Sequence, residues 1–437
     1  MLPNLTTRLT SGTLPVPDSL SSRNTWLLFL FFSVNLALPL LDVPLLGLSL
    51  TAPILFLICL EVFSRPRATQ GASYARWFVI GYLFLIGLLL SLWTNGIFRG
   101  IEIRLADFVT LVRFAYWILA FVTTVIIIST TDRLRSISIV IALAILVLAE
   151  LRLYEAVAFG RWGAWTNPRF LSQNAYGIQF STFMPFALAL PFVLRGRIRL
   201  LSVLALVLAF IAIAGNGSRA SWIGVGFGTV VFAVLYAVTQ LKGARTIFAR
   251  LFVLAGIVVL LAVLAPPAVL EPVVARIQTF TALADDKSYA IRQLMVQKGE
   301  RMFLESPLFG AGVGRFIEAN VQLDIPTLLS YGDQDYFNLK TSHNSYIALL
   351  GETGLAGMLP FIGLQALLFL GGLRAVIRLA RRGEILAIAI FASYIGMSIH
   401  LWSLSALTGT APWFIYGLVG GLIEREARLR RQTTSSP

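Results

Sequence analysis

Charge and cysteine are both scarce in this chain. Only 13% of its 437 residues are charged, against roughly 25% in soluble domains, so charged side chains are too few to cover a water-facing surface. Cys59 is the single cysteine and lies within an apolar run, which excludes an intramolecular disulfide. No stretch between apolar runs exceeds roughly 80 residues, so the sequence predicts one membrane-embedded domain.

Patterns that would supply nucleotide or metal chemistry are also missing. The sequence has no phosphate-binding loop for ATP, no zinc-ligand spacing and no recognisable Ser-His-Asp arrangement. The glycines within 310–314 are too closely spaced for a dinucleotide fingerprint, and no predicted strand precedes them. Asp333-Gln334-Asp335 matches a metal-binding spacing of some sugar transferases, although so short a pattern arises easily by chance. Metal binding therefore stays open, and the energy for any reaction must come from the substrate or from a gradient.

What the chain has in abundance is apolar length. It is 57% hydrophobic, with a mean hydropathy of +0.81, and apolar runs of 17 or more residues recur from Trp26 to about Ile423. A bilayer core requires runs of this length from a helix. The pattern predicts an all-α polytopic membrane protein with about 12 transmembrane helices. The predicted helices span 25–41, 44–63, 75–94, 105–129, 137–159, 173–194, 199–214, 220–240, 248–265, 344–370, 385–402 and 408–424.

The basic residues mark one side of the predicted membrane domain. Short basic segments follow the even-numbered predicted helices, which places them in the cytoplasm together with both termini. One large loop, at about 266–343, precedes the third-last helix and falls on the opposite face. It carries nine acidic and seven basic residues, so it is net −2 while the whole chain is +14 and the remainder is +16. This distribution indicates membrane topology and not a nucleic-acid-binding surface.

Three segments follow from this topology. Residues 1–24 are predicted to form a loosely ordered cytoplasmic tail and not a cleaved signal peptide, residues 25–424 form the membrane domain, and residues 425–437 form a basic cytoplasmic tail. Within the large loop, apolar residues at helical spacing predict a helix over 288–306. Those residues are Ile291, Leu294, Met295, Met302 and Phe303. The loop is therefore expected to be partly helical.

His343 is one of only two histidines and stands where the large loop meets a predicted membrane helix. An imidazole with a pKa near ~6.5 can accept a proton near neutral pH. If a helix began at Ser342, its N-terminal dipole would keep His343 neutral. The alternative is a polar interfacial residue satisfied by the backbone. Glu352 lies nine positions further on, on the opposite helix face, so it is expected to cap a helix break or to pair with another helix. His400 lies on the same side, near the end of the eleventh predicted helix, and is expected to be a packed or interfacial residue.

Five arginines fall on the same side as the large loop. A guanidinium holds phosphate oxygens in a bidentate fork and does not lose its charge, so several that converge would suit a lipid-linked diphosphate. For each one the alternative is an arginine that is solvated or that reaches towards lipid headgroups. The five are Arg169, Arg219, Arg276, Arg292 and Arg315.

Three motifs in this order resemble the O-antigen ligase and polymerase superfamily. They are Gly217-Ser218-Arg219-Ala220, Pro307-Leu308-Phe309-Gly310-Ala311-Gly312, and His343-Asn344-Ser345-Tyr346 with Glu352-Thr353-Gly354-Leu355-Ala356-Gly357. Twelve helices with a large loop before the third-last helix also match that family. The resemblance implies glycosyl transfer at the periplasmic face of a bacterial inner membrane, within the domain 25–424. It implies a lipid-linked glycan on undecaprenyl diphosphate as donor and a sugar hydroxyl of lipid A–core as acceptor. No cofactor, ATP or metal is implied.

By matching positions, the resemblance makes His343 the base that deprotonates the acceptor hydroxyl. Arg219 and Arg292 would bind the diphosphate and stabilise it as it leaves, with Arg315 and Arg169 as further candidates. A ligase is favoured by the single large loop. An O-antigen polymerase, a protein-directed oligosaccharyltransferase and, from a different class, a lipid or polysaccharide transporter also stay open.

Overall fold

The structure, a computed structural model, describes residues 23–39, 51–64, 72–131, 133–159, 171–240 and 285–434, with isolated positions between 271 and 281. Throughout these ranges the regular structure is helical. The α-helices are α1 (Arg23–Ala37), α2 (Thr51–Phe63), α3 (Ala72–Phe98), α4 (Leu105–Thr130), α5 (Leu134–Ala158), α6 (Gln173–Val193), α7 (Gly196–Gly215), α8 (Arg219–Gln240), α9 (Lys287–Glu305), α10 (Gln334–Asn338), α11 (Ser345–Arg381), α12 (Ile385–His400) and α13 (Thr410–Thr434).

Within the part of the chain that the structure describes, eight helices are long and apolar enough to cross a membrane: α3 to α8, α11 and α12. The prediction of a multi-pass helical membrane protein is therefore confirmed. The count of about twelve spans stays a prediction, because α1 and α2 are apolar but only 15 and 13 residues long and the predicted helix 248–265 lies outside the described residues. The other predicted helices each coincide with an observed one.

Two helices continue for about three turns beyond their predicted ends. Helix α11 extends to Arg381, where 370 was predicted, and α13 extends to Thr434, where 424 was predicted. Hydropathy alone ends a helix at the last apolar residue, whereas these final turns are stabilised by ion pairs. Glu426 pairs with both Arg378 and Arg430. Whether residues 425–437 form a cytoplasmic tail stays a prediction.

Contacts between helix ends define two ends of the bundle. At the first, which we call the loop end, α6 begins beside the end of α7, where the Gln173 amide donates to the Asn216 carbonyl at 2.6 Å. At the second, the basic end, Arg425 of α13 pairs with Glu384 before α12 at 3.1 Å. The predicted basic segments that the structure describes lie at the basic end, and the large loop packs at the loop end. This separation agrees with the topology predicted from charge.

Helices α6, α8 and α12 approach closely just beneath the loop end. A Cβ atom added to Gly396 would lie 2.6 Å from the Ser181 carbonyl oxygen and 2.8 Å from that of Gly224. Small residues allow such backbone approach in membrane helices, where apolar packing against lipid gives no driving force of its own. The same three helices hold the histidine and serine residues described below.

The large loop has its own hydrophobic core around α9. Helix α9 confirms the predicted helix over 288–306, with Leu294, Met295 and Met302 buried against Phe316 and Phe337. Lys298 is also fully buried, and its ammonium donates to the carbonyl of Asn338 at 2.5 Å. Burial lowers the pKa of Lys298 to about 8. The loop residues after α9 are therefore fixed to that helix by both apolar and polar contacts.

The glycine-rich segment after α9 fits into a break in α11. Gly354 has φ 56° and ψ −152°, which interrupts the helical hydrogen bonds. Segment 307–312 replaces them, since the Ala311 N–H donates to the Gly351 carbonyl and the Leu355 N–H donates to the Pro307 carbonyl, both at 2.9 Å. Backbone groups inside a membrane protein need such partners. Two of the motifs that carry the family resemblance thus bind each other.

Glu352 completes this junction. Its two carboxylate oxygens accept hydrogen bonds from the N–H groups of Gly314 and Phe316, each at 3.0 Å. Glu352 therefore binds the loop backbone, and it neither caps the broken turn nor pairs with another helix, as the two expectations had it. The large loop is therefore attached to α11 just before the break.

Candidate active site

His343 lies just outside the N-terminus of α11 in an unusual backbone conformation. The helix begins at Ser345, and the Asn344 side chain caps it by accepting from the N–H groups of Tyr346 and Ile347 at 3.0 and 3.1 Å. The supposition that the helix begins at Ser342 was wrong, because Asn344 and not an earlier residue serves as the cap. His343 has φ 49°, and it is the only non-glycine residue with positive φ in the described ranges. Such left-handed backbone costs about 1–2 kcal/mol and is concentrated at functional sites.

The imidazole of His343 is half-buried, and its surroundings disfavour the protonated form. Burial is the main cause of its lowered pKa, and the positive charges of Arg292 and Lys340 add to the effect. The Thr341 Oγ1 lies 3.4 Å from Nε2, within hydrogen-bonding distance. The expectation of a neutral imidazole at neutral pH therefore agrees with the structure, with burial and two cations as the cause in place of the helix dipole.

Arg219 and Arg292 are joined through the start of α9. Arg219, the first residue of α8, donates from Nη1 to Oδ2 of Asp286 at 2.8 Å, and both side chains are largely buried. Asp286 is also the N-cap of α9, since its Oδ1 accepts from the Tyr289 N–H at 2.8 Å. Arg292 lies further along the same helix. The structure thus brings Arg219 to the helix that carries Arg292, and Arg292 to His343.

His400 belongs to the same neighbourhood, whereas the sequence indicated only that it lies on the same side. It is packed, which is one of the two expectations, with Nδ1 2.8 Å from Ser181 Oγ. Its ring also bonds the backbone of Ala220, next to Arg219. No local pattern links His400 to the motifs, because it comes from the end of α12 and meets the other residues only in three dimensions.

The turn that presents Arg219 is held from beneath by α5. Arg152, a buried arginine on that helix, donates to the Gly215 carbonyl at 3.3 Å and to Oδ1 of Asn216 at 3.2 Å. The Asn216 amide in turn donates to the Gln173 carbonyl at 3.0 Å. These contacts come immediately before Gly217-Ser218-Arg219 and fix the direction in which α8 begins.

The other predicted arginines stand apart. Arg315 is buried and ion-paired with Asp107 of α4, and it also donates to the Glu102 carbonyl at 2.5 Å. These contacts give it an anchoring role for the loop, and diphosphate binding by Arg315 stays a prediction. Arg169 and Arg276 lie outside the described residues, so their predicted roles are untested.

One acid of the pair considered for a metal has a structural role in the loop. Asp333 caps α10, because its Oδ1 accepts from the Tyr336 N–H at 2.9 Å. Gln334, between the two acids, bonds the backbone of Leu323 and Val321. Asp335 is exposed on α10.

Taken together, the fold defines a multi-pass helical membrane protein with a cationic, histidine-containing site where a large loop meets the bundle. Residues 204–362 match the family model described as O-Antigen ligase, a segment that includes Arg219, Arg292 and His343. The match of this segment supports membership of the O-antigen ligase superfamily, which the resemblance of the motifs predicted. No curated protein matches the chain significantly.

Proposed function

We propose that this protein transfers an O-antigen glycan from undecaprenyl diphosphate to a sugar hydroxyl of lipid A–core. One observation carries the proposal. His343 is half-buried and near enough to Arg292 for that positive charge to lower its pKa, and Arg292 lies on α9, whose N-cap Asp286 binds Arg219. In this proposal a neutral base and two guanidinium groups share one site at the loop end of the bundle. A glycosyl transfer from a lipid diphosphate needs that combination, because a proton must leave the acceptor while negative charge develops on the leaving group.

The reaction follows as a single displacement. A ring nitrogen of His343 takes the proton of the acceptor hydroxyl, and the acceptor oxygen forms a bond to the anomeric carbon of the first donor sugar. The bond between that carbon and the diphosphate oxygen breaks, and its electron pair leaves with undecaprenyl diphosphate. With no protein nucleophile in this scheme, the configuration at the anomeric carbon inverts. The donor supplies the energy, so the scheme requires neither ATP nor a metal.

Arg219 and Arg292 are assigned to the diphosphate. Each guanidinium has five N–H donors, so Arg219 can keep its contact with Asp286 while it donates to phosphate oxygens. The Asp286 contact fixes the side chain before the donor binds, which lowers the entropy lost on binding. The charge of Arg292 also helps to keep His343 neutral, so a residue that holds the leaving group also prepares the base.

The orientation of the protein in the membrane is assigned from its charge distribution. Cytoplasmic loops of bacterial inner-membrane proteins carry the excess of arginine and lysine, so the basic end is assigned to the cytoplasm and the loop end to the periplasm. Donor and acceptor, both lipid-anchored, would then meet at the periplasmic face of the inner membrane.

A polymerase is the second candidate, since it would use the same donor and base. Polymerases of this superfamily commonly have two sizeable periplasmic loops with an Arg-x10-Gly pattern. Arg301 and Gly312 fit that spacing, but Arg301 is occupied within the loop, where it pairs with Asp324 at 2.5 Å. That contact, together with the single large loop, favours the ligase. Transfer to a protein acceptor and transport of the lipid-linked glycan are further possibilities that the same experiment distinguishes.

One assay separates these functions. Purified protein in liposomes is given the lipid-linked glycan together with lipid A–core, with more lipid-linked glycan, or with an acceptor peptide. A ligase should consume the donor and extend lipid A–core alone, as seen on a gel. Growth of the lipid-linked glycan would identify a polymerase, and glycosylated peptide a protein transferase. Movement of the donor between leaflets without any new bond would identify a transporter and contradict the proposal.

A further inference from the structure

Two exposed tyrosines lie in the segment of the large loop that leads to His343. Tyr331 and Tyr336, which we call the tyrosine ledge, have ring centroids 6.2 Å apart and remain 49% and 41% exposed. Both rings contact the edge or face of Phe337, at 6.0 and 5.1 Å between centroids. Phe337 itself is fully buried in the loop core. The two rings are therefore held in fixed orientations while a large part of each stays open.

The segment beneath the ledge is rigidly attached. Asn338 accepts from the buried Lys298 ammonium at its carbonyl, and its side chain bonds the backbone of Val321 in both directions at 3.3 and 3.1 Å. Ligand-binding side chains act best when their support is already ordered, since little entropy is then lost on binding. Exposed aromatic rings on such a support are typical of a binding surface.

Lys340 connects the ledge to the candidate base. Its ammonium lies 3.9 Å from the centroid of the Tyr336 ring, and the same charge lowers the pKa of His343. Lys287 lies 5.1 Å from the centroid of Tyr331. When His343 deprotonates one hydroxyl of a glycan, the adjoining sugar units of that glycan would lie within reach of Tyr336 and Lys340.

We propose that the tyrosine ledge binds a pyranose ring of a glycan next to the bond that is made. Aromatic faces pack against the apolar C–H face of a sugar, while Asp335 and Lys340 can bond its hydroxyl groups. An anionic lipid headgroup would be attracted by Lys287 and Lys340 but repelled by Asp335, which is exposed on α10 between the two tyrosines in sequence. The inference rests on the proposed function, and it adds a sugar-binding subsite to it.

Binding can be measured apart from turnover. The glycan released from the donor lipid and the delipidated core oligosaccharide are each titrated onto detergent-solubilised His343→Ala protein, with saturation-transfer NMR as the readout. One of the two should bind, and the one that does identifies the ledge as a donor or an acceptor subsite. Adding Tyr331→Ala and Tyr336→Ala should raise the Kd for that oligosaccharide on the order of tenfold. Tyr336→Phe should leave this Kd unchanged, because the ring and not the hydroxyl stacks on the sugar.

The matched control is Tyr154→Ala, another exposed tyrosine at the loop end, on α5. It should leave the Kd unchanged, and the unfolding temperature of all variants should stay within about 2 °C, as expected for exposed side chains. Binding of neither oligosaccharide, an unchanged Kd in the double variant, or an equal loss in the Tyr154 variant would overturn the inference. If the ledge variants lose binding while wild-type protein transfers glycan to no acceptor, the subsite stands and the proposed function fails.

Discussion

Arg219 and Asp286 form a 2.8 Å salt bridge that ties α8 to the cap of α9. The two residues are far apart in the sequence, and their contact fixes the position of the N-terminus of α9, the helix that carries Arg292. The acidic partner therefore contributes to the geometry of both arginines. Its effect can be separated from its capping role, because asparagine caps a helix about as well as aspartate does.

Asp286→Asn should keep α9 capped and remove the charge that orients Arg219. We expect the KM for the lipid-linked donor to rise about 3- to 10-fold, with a smaller change in kcat, because a looser Arg219 loses more entropy on binding. Asp333→Asn is the matched control, since Asp333 caps α10 in the same way and lies away from Arg219. Equal effects of the two substitutions on donor KM would show that only capping matters.

Arg219→Lys and Arg292→Lys should each lower kcat/KM for transfer at least about tenfold, because a point charge cannot replace a bidentate fork. Steady-state kinetics in liposomes with a fixed acceptor concentration measures this. Arg301→Lys is the control, since Arg301 pairs with Asp324 within the loop, and it should retain near-normal activity. Full activity of the Arg219 and Arg292 variants would remove both from the diphosphate site.

The pH dependence should reflect a depressed pKa at His343. Burial and two cations disfavour the imidazolium, so the neutral base persists to lower pH than in a solvated histidine. Single-turnover rates should rise with pH through an apparent pKa below the ordinary histidine value of 6.5 and level off above it. Lys340→Gln removes one of the cations, so the acidic limb should shift to higher pH. An unshifted limb, or one that shifts to lower pH, would show that His343 does not control it.

Gly354→Ala tests the junction between α11 and the loop. The residue has φ 56°, and a Cβ atom there would lie 2.6 Å from the Pro307 carbonyl oxygen. Almost only glycine adopts this combination of φ and ψ, and such strain costs about 1–3 kcal/mol, so the unfolding temperature in detergent should fall by several degrees. Gly363→Ala lies in the same helix with open space around it and should be neutral or slightly stabilising. Equal behaviour of the two variants would contradict the role assigned to the break.

Most of the helices were predictable from the sequence because apolar length reports burial in lipid directly. The ends of the predicted helices 105–129 and 173–194 agree with those of α4 and α6 within one residue. The extensions of α11 and α13 were not predictable, since they depend on ion pairs between distant segments, such as Arg378 with Glu426. Hydropathy contains no information on such partners.

The site was predictable only where a motif names the residue. His343 and Arg219 stand in motifs of the superfamily, and Arg292 was assigned by its matching position on the predicted helix over 288–306. Asp286 and His400, in contrast, make contacts that only the fold creates. The positive φ at His343 was likewise not predictable, because it results from Asn344 taking the capping position. The sequence contains one local indication of the role of Asp286, because this residue precedes the predicted helix over 288–306, where N-cap residues occur.

The role of His343 as the base is the central claim, and His343→Ala tests it most directly. The change should leave donor binding near normal, because the imidazole acts on the acceptor proton and not on the diphosphate. The single-turnover rate of transfer to lipid A–core, measured alongside donor binding on the same preparation, should fall about 10²–10⁴-fold. Retention of near-normal turnover with intact donor binding would contradict this role and place the base elsewhere.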